Sequence, residues 1–335
     1  MSLTLESIAK PSPEILKHAW YSLLAEKPQT RIREAAAHLG VSEAELLATG
    51  CGSQVIRLDG HWPDLLADMH SLGSVMALTR NDYAVHEKHG CYSTLAEVDH
   101  HLLVSGAHID LCLLLEHWAF GFAVTETTTH GPRHSLQFFG YDGLALHKIY
   151  LTADSNIDAW RQLTGQFQSH EQSPEIGIEH NADSAHCRLP PTLPAAWQPD
   201  VTAWQTATDT GASARLTAQG FRDLMQHLAE ASHPISLLVA NPGALQLHRG
   251  PIHTLRITGP WFNVLDAGFN LHLNETAIAR HDISDYTVDT TQRQAVVLRD
   301  HGGRTVMTLC DYSDDASHDS PFWQSLLATM AERVP

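Results

Sequence analysis

Two cysteines, Cys112 and Cys310, fall in stretches that read as strands. A cysteine thiolate ligates a metal or carries redox chemistry once a nearby cation or metal lowers its pKa. In an apolar setting the same residue packs as a small hydrophobe, which is its commoner fate. Histidines are the second set. His86, His89, His147, His248, His253 and His272 lie on expected sheet faces, and His100, His101, His180 and His186 lie in expected loops. The H-x-x-x-H spacing from His130 to His134 encloses Gly131-Pro132, a turn and not a helix. There is no H-E-x-x-H, no G-x-S-x-G elbow and no G-x-G-x-x-G or Walker loop, so metal-hydrolase, serine-hydrolase and nucleotide chemistry have no support. Arg80, Asn81 and His86 form a polar cluster that reads as a turn clamp, because Asn tolerates left-handed backbone and bonds nearby main chain.

The elements that must position these groups follow a repeated grammar. Asn241-Pro242-Gly243 is a turn, followed by Leu245 and Leu247 alternating with Gln246 and His248 as in a half-buried strand. Shifting the chain by 160 positions lays Asn81 on Asn241, Ala84 on Ala244, Gly90 on Gly250 and Asp110-Leu111-Cys112-Leu113 on Asn270-Leu271-His272-Leu273. A constant offset that aligns both turns and alternation argues for an internal duplication. The clamp recurs in part, with Asn241 kept and Ala240 and Gln246 replacing Arg80 and His86.

Taken in order, Ser12-Pro13-Glu14 opens a helix. Residues 30–48 give two short helices around Gly40, a pattern resembling a helix-turn-helix; Glu43 and Glu45 on the second helix favour a helical cap packed on the first sheet instead. A helix over 62–72 precedes the first sheet, whose strands are expected near 75–79, 84–86, 102–104, 109–115, 119–127, 134–139 and 144–150. Asp142-Gly143 makes a hairpin turn, and a helix near 156–167 closes the half. Residues 168–211 carry five prolines among polar residues and read as an irregular connector. A helix over 216–231, a second sheet from 235 to about 311 and a closing helix over 321–332 complete the second half. The expected units are 1–168, 169–213 and 214–335. The fold class is α+β, a tandem duplication with antiparallel sheets flanked by helices.

Length and charge bound the partners. The 335 residues suit about two domains. A net charge of −17 excludes nucleic acid or an acidic membrane as the main partner, since both need clustered Lys and Arg. Five cysteines, without a C-x-x-C, give neither a disulfide framework nor a zinc knuckle. With no signal-like segment and no membrane-length apolar run, a cytoplasmic location is expected.

The chain resembles the HemS/ChuS/PhuS family of bacterial haem-utilisation, or hemin-degrading, proteins. In the first half the resemblance rests on Met76 to Lys88, Ile109-Asp110-Leu111, Trp118, Ser135 to Phe139, Asp142-Gly143 and His147-Lys148. In the second it rests on Asn241 to Pro251, Gly259 to Asp266 and Phe269 to Leu273. It spans about residues 13 to 332. It implies a duplicated α+β protein that binds haem between the second-half sheet and helices near the junction, and a cytoplasmic role in carrying haem or opening its ring.

The family's functional positions are altered together. Where the resemblance implies an axial histidine on a connector helix after a tryptophan, this chain has Trp204 and then Gly211, and it lacks most of the helix expected to follow. Its distal arginine is Cys112 here. A basic Arg-Lys-Pro-Thr stretch becomes Asp285-Tyr286-Thr287-Val288, and a Tyr-Gly-x-Arg becomes Cys310-Asp311-Tyr312-Ser313. Haem propionates want cationic partners, so Asp285 at that rim is expected to repel them. The candidate haem-contacting residues are therefore Cys112, His186, Cys310, Tyr312 and Tyr286. Three readings stay open: a haem carrier exchanging with donor or acceptor proteins, a haem-degrading oxygenase with a substitute ligand, and a scaffold that has lost haem.

Overall fold

A computed structural model describes residues 11–98, 101–106, 108–179, 193, 195–209, 212–312 and 318–333. The first half comprises α1 (Pro13–Glu26), α2 (Ile32–Leu39), α3 (Glu43–Ala48), β1 (Val55–Leu58), α4 (Trp62–Ala67), β2 (Gly73–Arg80), β3 (Ala84–Gly90), β4 (Thr94–Val98), β5 (His101–Ser105), β6 (Asp110–Leu113), β7 (Phe120–Thr128), β8 (Gly131–Phe139), β9 (Ala145–Ser155) and α5 (Ile157–Gln166). Helix α6 (Gln198–Asp209) leads into β10 (Ala214–Leu216), α7 (Ala218–Glu230), β11 (Ile235–Asn241), β12 (Ala244–Gly250), β13 (Leu255–Thr258), β14 (Trp261–Asp266) and β15 (Phe269–Asn274). Strands β16 (Ile278–Val288), β17 (Thr291–Asp300) and β18 (Thr305–Asp311), helix α8 (Pro321–Met330) and β19 (Glu332–Arg333) follow. The helix starts obey local chemistry. Ser12 caps α1 with Pro13 in its first turn, and Thr217 Oγ1 accepts from Gly220 N at 2.8 Å to cap α7.

The strands form two antiparallel sheets, one of nine in the order β1-β7-β8-β9-β2-β3-β15-β14-β13, the other of ten in the order β19-β10-β16-β17-β18-β11-β12-β6-β5-β4. Each half therefore sends a three-stranded arm into the other half's sheet. This corrects the expected membership: strands 102–115 belong with the second half's sheet and strands 261–273 with the first. The exchange is symmetric in register. His86 pairs with Leu271, and their counterparts 160 positions away, Gln246 and Leu111, pair with each other. The reason lies at the edges, since β3 and β12 would each expose an unpaired ladder and the other half's arm covers it. Alternation alone is blind to this, because a strand shows the same period in either sheet.

The two largest cores nonetheless stay almost wholly with their own repeats, each taking one buried alanine, Ala244 or Ala84, from the other. One gathers Leu65, Leu66, Met69, Leu111, Leu113, Phe138 and Trp160, and the other Phe221, Leu224, Leu228, Val264, Leu271, Leu309 and Trp323. Both turn asparagines sit where the repeats meet. Asn81 Nδ2 donates to the carbonyls of Ala240 (3.3 Å) and Val306 (2.7 Å). Asn241 Nδ2 donates to those of Arg80 (2.8 Å) and Leu146 (2.7 Å). Ala240 and Val306 are the 160-shifted counterparts of Arg80 and Leu146, so one clamp is made twice around a pseudo-twofold axis. The turn-clamp expectation holds for Asn81, whose Oδ1 accepts from the Tyr83 and Ala84 N–H groups and whose Nδ2 reaches across the junction, and not for His86, whose ring nitrogens are buried without partners.

Helices α2 and α3 form a cap and not a DNA reader. Ala44, Leu47 and Ala48 pack with Val55, Phe122, Val124 and Phe139 of the nine-stranded sheet. Glu43 is buried and ion-paired to Lys148, also buried. Burial opposes its ionisation, but Lys148, Arg80 and Arg33 together hold its pKa below the ordinary glutamate value.

Candidate functional site

The ten-stranded sheet has two unlike faces. One carries Ile235, Leu237, Ile283, Val296, Leu298 and Leu309 against α7 and α8. The other is traced by register. Cys112 pairs with Leu245, Leu245 with Ala240, Leu238 with Thr308, Cys310 with Ala295, and Arg293 with Tyr286. Paired residues in an antiparallel ladder, and residues two apart on a strand, point the same way. Cys112, Cys310 and Tyr286 thus share one face, and Tyr312 continues it just past the end of β18. The expected residues converge, apart from His186, which lies outside the described residues.

Helix α6 covers this face, packing on β11, β16, β17 and β18. It corrects the reading of 168–211 as irregular throughout. Pro199 sits in its first turn, where a missing N–H costs nothing. Trp197, Val201 and Trp204 recur at helical spacing and pack on Cys112, Leu238, Ala240, Leu245 and Leu247. Ala203 lies over Cys310, Tyr286, Ala295 and Val297. Gly211, at the position of the implied axial histidine, is outside the described residues. β10 follows from Ala214, so among the described residues no helix comes between α6 and that strand.

The two thiols differ in surroundings. Cys112 is 0% exposed beneath the tryptophans, and burial pushes its pKa up to about 12. Cys310 lies under small residues, Ala203 and Ala295. Burial raises its pKa and Asp200 pushes the same way, while Tyr286 and Arg293 oppose them. Burial likewise raises the Tyr286 phenol. All three groups are neutral as the face stands. Tyr312 is only partly buried, with the Arg249 guanidinium 5.9 Å from its ring.

Two oxygens on this face, Ser236 Oγ and Ser284 Oγ, are buried without a hydrogen-bond partner, and Tyr286 OH has none beyond the Cys310 sulfur. Such groups carry a desolvation cost of about 1–3 kcal/mol each. Arg293 is held by Asp319 Oδ1 at 2.8 Å and by the Asp311 carbonyl at 3.0 Å. Arg249 fastens the lid. It donates to Asp200 Oδ2 (2.7 Å) and the Ala196 carbonyl (2.8 Å), stands 3.5 Å from Asp110, and stacks over Trp197 at 5.4 Å. Sequence reading missed Arg249, Asp200, Arg293 and Asp319; the helical spacing of Trp197, Val201 and Trp204 was the available signal for the helix that carries Asp200.

Asp285 is corrected. It is exposed on the opposite side from Tyr286, where it accepts from Gln294 Nε2 at 2.9 Å, so it does not face the site. The sheet histidines are also placed elsewhere. His147 bonds Tyr92 OH (2.6 Å) and Thr79 Oγ1 (2.9 Å), and burial lowers its pKa to about 3. His248 stacks on Phe269 at 3.9 Å, and burial together with Lys88 also lowers it to about 3. His272 bonds Asn263 Oδ1 at 2.7 Å in the nine-stranded sheet.

The face as folded has ligating sulfur and oxygen atoms but no gap for a macrocycle, because Trp197, Val201 and Trp204 fill it. It admits a flat ligand only by displacement of these three side chains. Its two described cations, Arg249 and Arg293, are engaged by carboxylates and become available to anionic groups only by exchange of partners.

A family model described as the haemin-degrading HemS.ChuX domain matches residues 40–167 and 201–330. The hemin transport protein HmuS of Yersinia pestis is 36% identical over 285 residues, which cover 76% of this chain and 79% of that protein. The hemin transport protein HemS of Yersinia enterocolitica is 34% identical over a stretch of the same length. Holo-PhuS, a heme-binding protein from Pseudomonas aeruginosa, superposes with a TM-score of 0.84 at 30% identity, covering 97% of this chain and 100% of that one. The heme degrading enzyme ChuS of Escherichia coli O157:H7 shares the fold, with a TM-score of 0.82 at 23% identity, over 96% of this chain and 100% of that one.

Proposed function

Since the chain belongs to the haemin-degrading HemS.ChuX domain family and carries that domain twice, we propose that it binds haem on the sheet face beneath α6 and hands it to an acceptor. The observation that carries this reading is the convergence of Cys112, Cys310, Tyr286 and the unpartnered Ser236 and Ser284 hydroxyls on one covered face. Buried polar atoms are nearly always satisfied, so the two orphan hydroxyls are points at which a ligand could bond to this face.

Within the face, Cys310 is the residue assigned to the iron. Its covering neighbours, Ala203 and Ala295, are small, and Arg293 and Tyr286 favour its thiolate against burial, Asp200 and Asp319. Cys112 packs beneath two tryptophans and has no cation beside it. The described imidazole on this face, His101, stands two residues before Leu103 on β5, with three strands between it and Cys310. Carriage is favoured over ring opening because Gly211 and Cys112 stand where the resemblance implies the axial histidine and the distal arginine. The setting of the exchange is the cytoplasm; no described helix is long and apolar enough to cross a membrane.

The test is a one-equivalent hemin complex given ascorbate in air, and in parallel apomyoglobin. The expected result is a Soret band that persists under reductant and moves to the spectrum of myoglobin on mixing. Loss of the band with carbon monoxide release and a biliverdin-like product would replace carriage with degradation.

A further inference from the structure

At the junction of the repeats, beside the asparagine clamp, lies a cavity of about 230 Å³. Its wall is apolar at Trp204, Leu146 and Val306 and charged elsewhere. Nearly every charge is already matched. Arg33 bonds Asp82 at 2.7 Å, Arg304 bonds Asp300 at 2.8 Å and stands 3.4 Å from Asp82, and Glu43 is paired with Lys148. Asp142 accepts from the Leu144 N–H at 3.0 Å. Arg80 is the exception. Among the described residues no carboxylate stands within 4 Å of its guanidinium and no hydrogen bond engages it, although it lines the cavity; Glu43 and Asp82, each engaged by another cation, attract it only from farther off.

A guanidinium cannot shed its charge, and partial burial without a direct ion pair or hydrogen bond is costly. Its five donors match a planar carboxylate or a phosphate oxyanion. The repeat marks it as a local addition, since the 160-shifted counterpart of Arg80 is Ala240 on the same cavity wall. We propose that this cavity binds a compact organic anion, its oxyanion on Arg80 and its apolar body against Trp204, Leu146 and Val306. Carboxylate and phosphate share this chemistry, and the experiment separates them.

The full chain is titrated calorimetrically with benzoate, phenyl phosphate and inorganic phosphate, and the Trp204 indole N–H is followed by NMR after assignment with Trp204→Phe. Saturable binding of benzoate or phenyl phosphate below 1 mM is expected, roughly tenfold tighter than inorganic phosphate, with the Trp204 signal moving and that of Trp261 still. Whichever of the two binds tighter identifies the oxyanion. Arg80→Met is expected to weaken binding at least tenfold, a charge-assisted pair being worth roughly that factor or more. No saturation below 10 mM, undiminished binding by Arg80→Met, or an unmoved Trp204 signal overturns the proposal. The Trp204 readout on the parent chain decides the matter if Arg80→Met fails to fold.

Discussion

Arg249→Ala will take up hemin about ten to a hundred times faster than the parent chain in stopped-flow absorbance. The prediction follows from what Arg249 holds together. Its guanidinium bonds Asp200 and the Ala196 carbonyl and stacks on Trp197, tying α6 and the turn before it to β12. Both Asp200 and the Arg249 side chain are nearly buried, so these contacts are poorly screened. A hydrogen bond to a charged group contributes about 1.5–3 kcal/mol, and each 1.4 kcal/mol is a factor of ten in the opening equilibrium. Removing the cation also leaves Asp200 without its ion-pair partner beneath the lid and Asp110 with Lys88 alone, which disfavours the closed arrangement further. If binding requires α6 to lift, its rate scales with the open population. Arg249→Lys keeps the charge but loses the fork and should fall between. An unchanged or slower uptake by a folded Arg249→Ala would show that α6 does not gate the face.

The largest stability effect is expected far from that face. Lys148→Ala leaves Glu43 buried and unpaired beneath α3, and breaking a buried pair in this way costs about 3–5 kcal/mol. The melting temperature should drop by roughly 5–10 °C. Glu43→Leu combined with Lys148→Met should recover most of the loss, because well-packed apolar pairs replace buried ion pairs at little cost. The pair also sets a pH dependence. The folded pKa of Glu43 lies below its ordinary value of 4.5. Its contribution is thus fully present above that value and is lost as pH falls through the lower folded value. Denaturant midpoints of the parent chain should therefore decline in the acid range, and those of the double variant, Glu43→Leu with Lys148→Met, should decline less. Equal acid sensitivity in the two proteins would exclude this pair as a source of it.

Much of the fold was legible from residue order. The 160-residue offset located both turn asparagines, and the structure places them as two halves of one clamp. Helix starts at Ser12-Pro13 and the hairpin at Asp142-Gly143 were set by local chemistry that tertiary context does not override. The arm exchange was not legible. The apolar runs Leu102-Leu103-Val104 and Leu111-Cys112-Leu113 mark buried strands but not which sheet supplies the hydrogen bonds. Helix α6 was hidden by its composition, since Pro199 among polar residues reads as a linker unless Trp197, Val201 and Trp204 are counted at helical spacing. For the site, Cys112, Cys310 and Tyr286 were each singled out, but strands distant in sequence had to pair before they shared a face. Asp285 was misplaced for a one-residue reason, as its neighbour Tyr286 takes the covered side and it takes the other. Arg249, a single charge in the second strand's motif, gains its role only from Asp200 on a helix about fifty residues earlier.

The most direct measurement is a hemin titration of the purified chain across the Soret region, run beside Cys310→Ala and Cys112→Ala. The account predicts a saturable shift at one equivalent for the parent chain, a Soret position changed or lost in Cys310→Ala, and a spectrum kept in Cys112→Ala. A featureless titration that matches free hemin would contradict haem binding by this chain, and a spectrum indifferent to Cys310→Ala would remove that thiol from the iron.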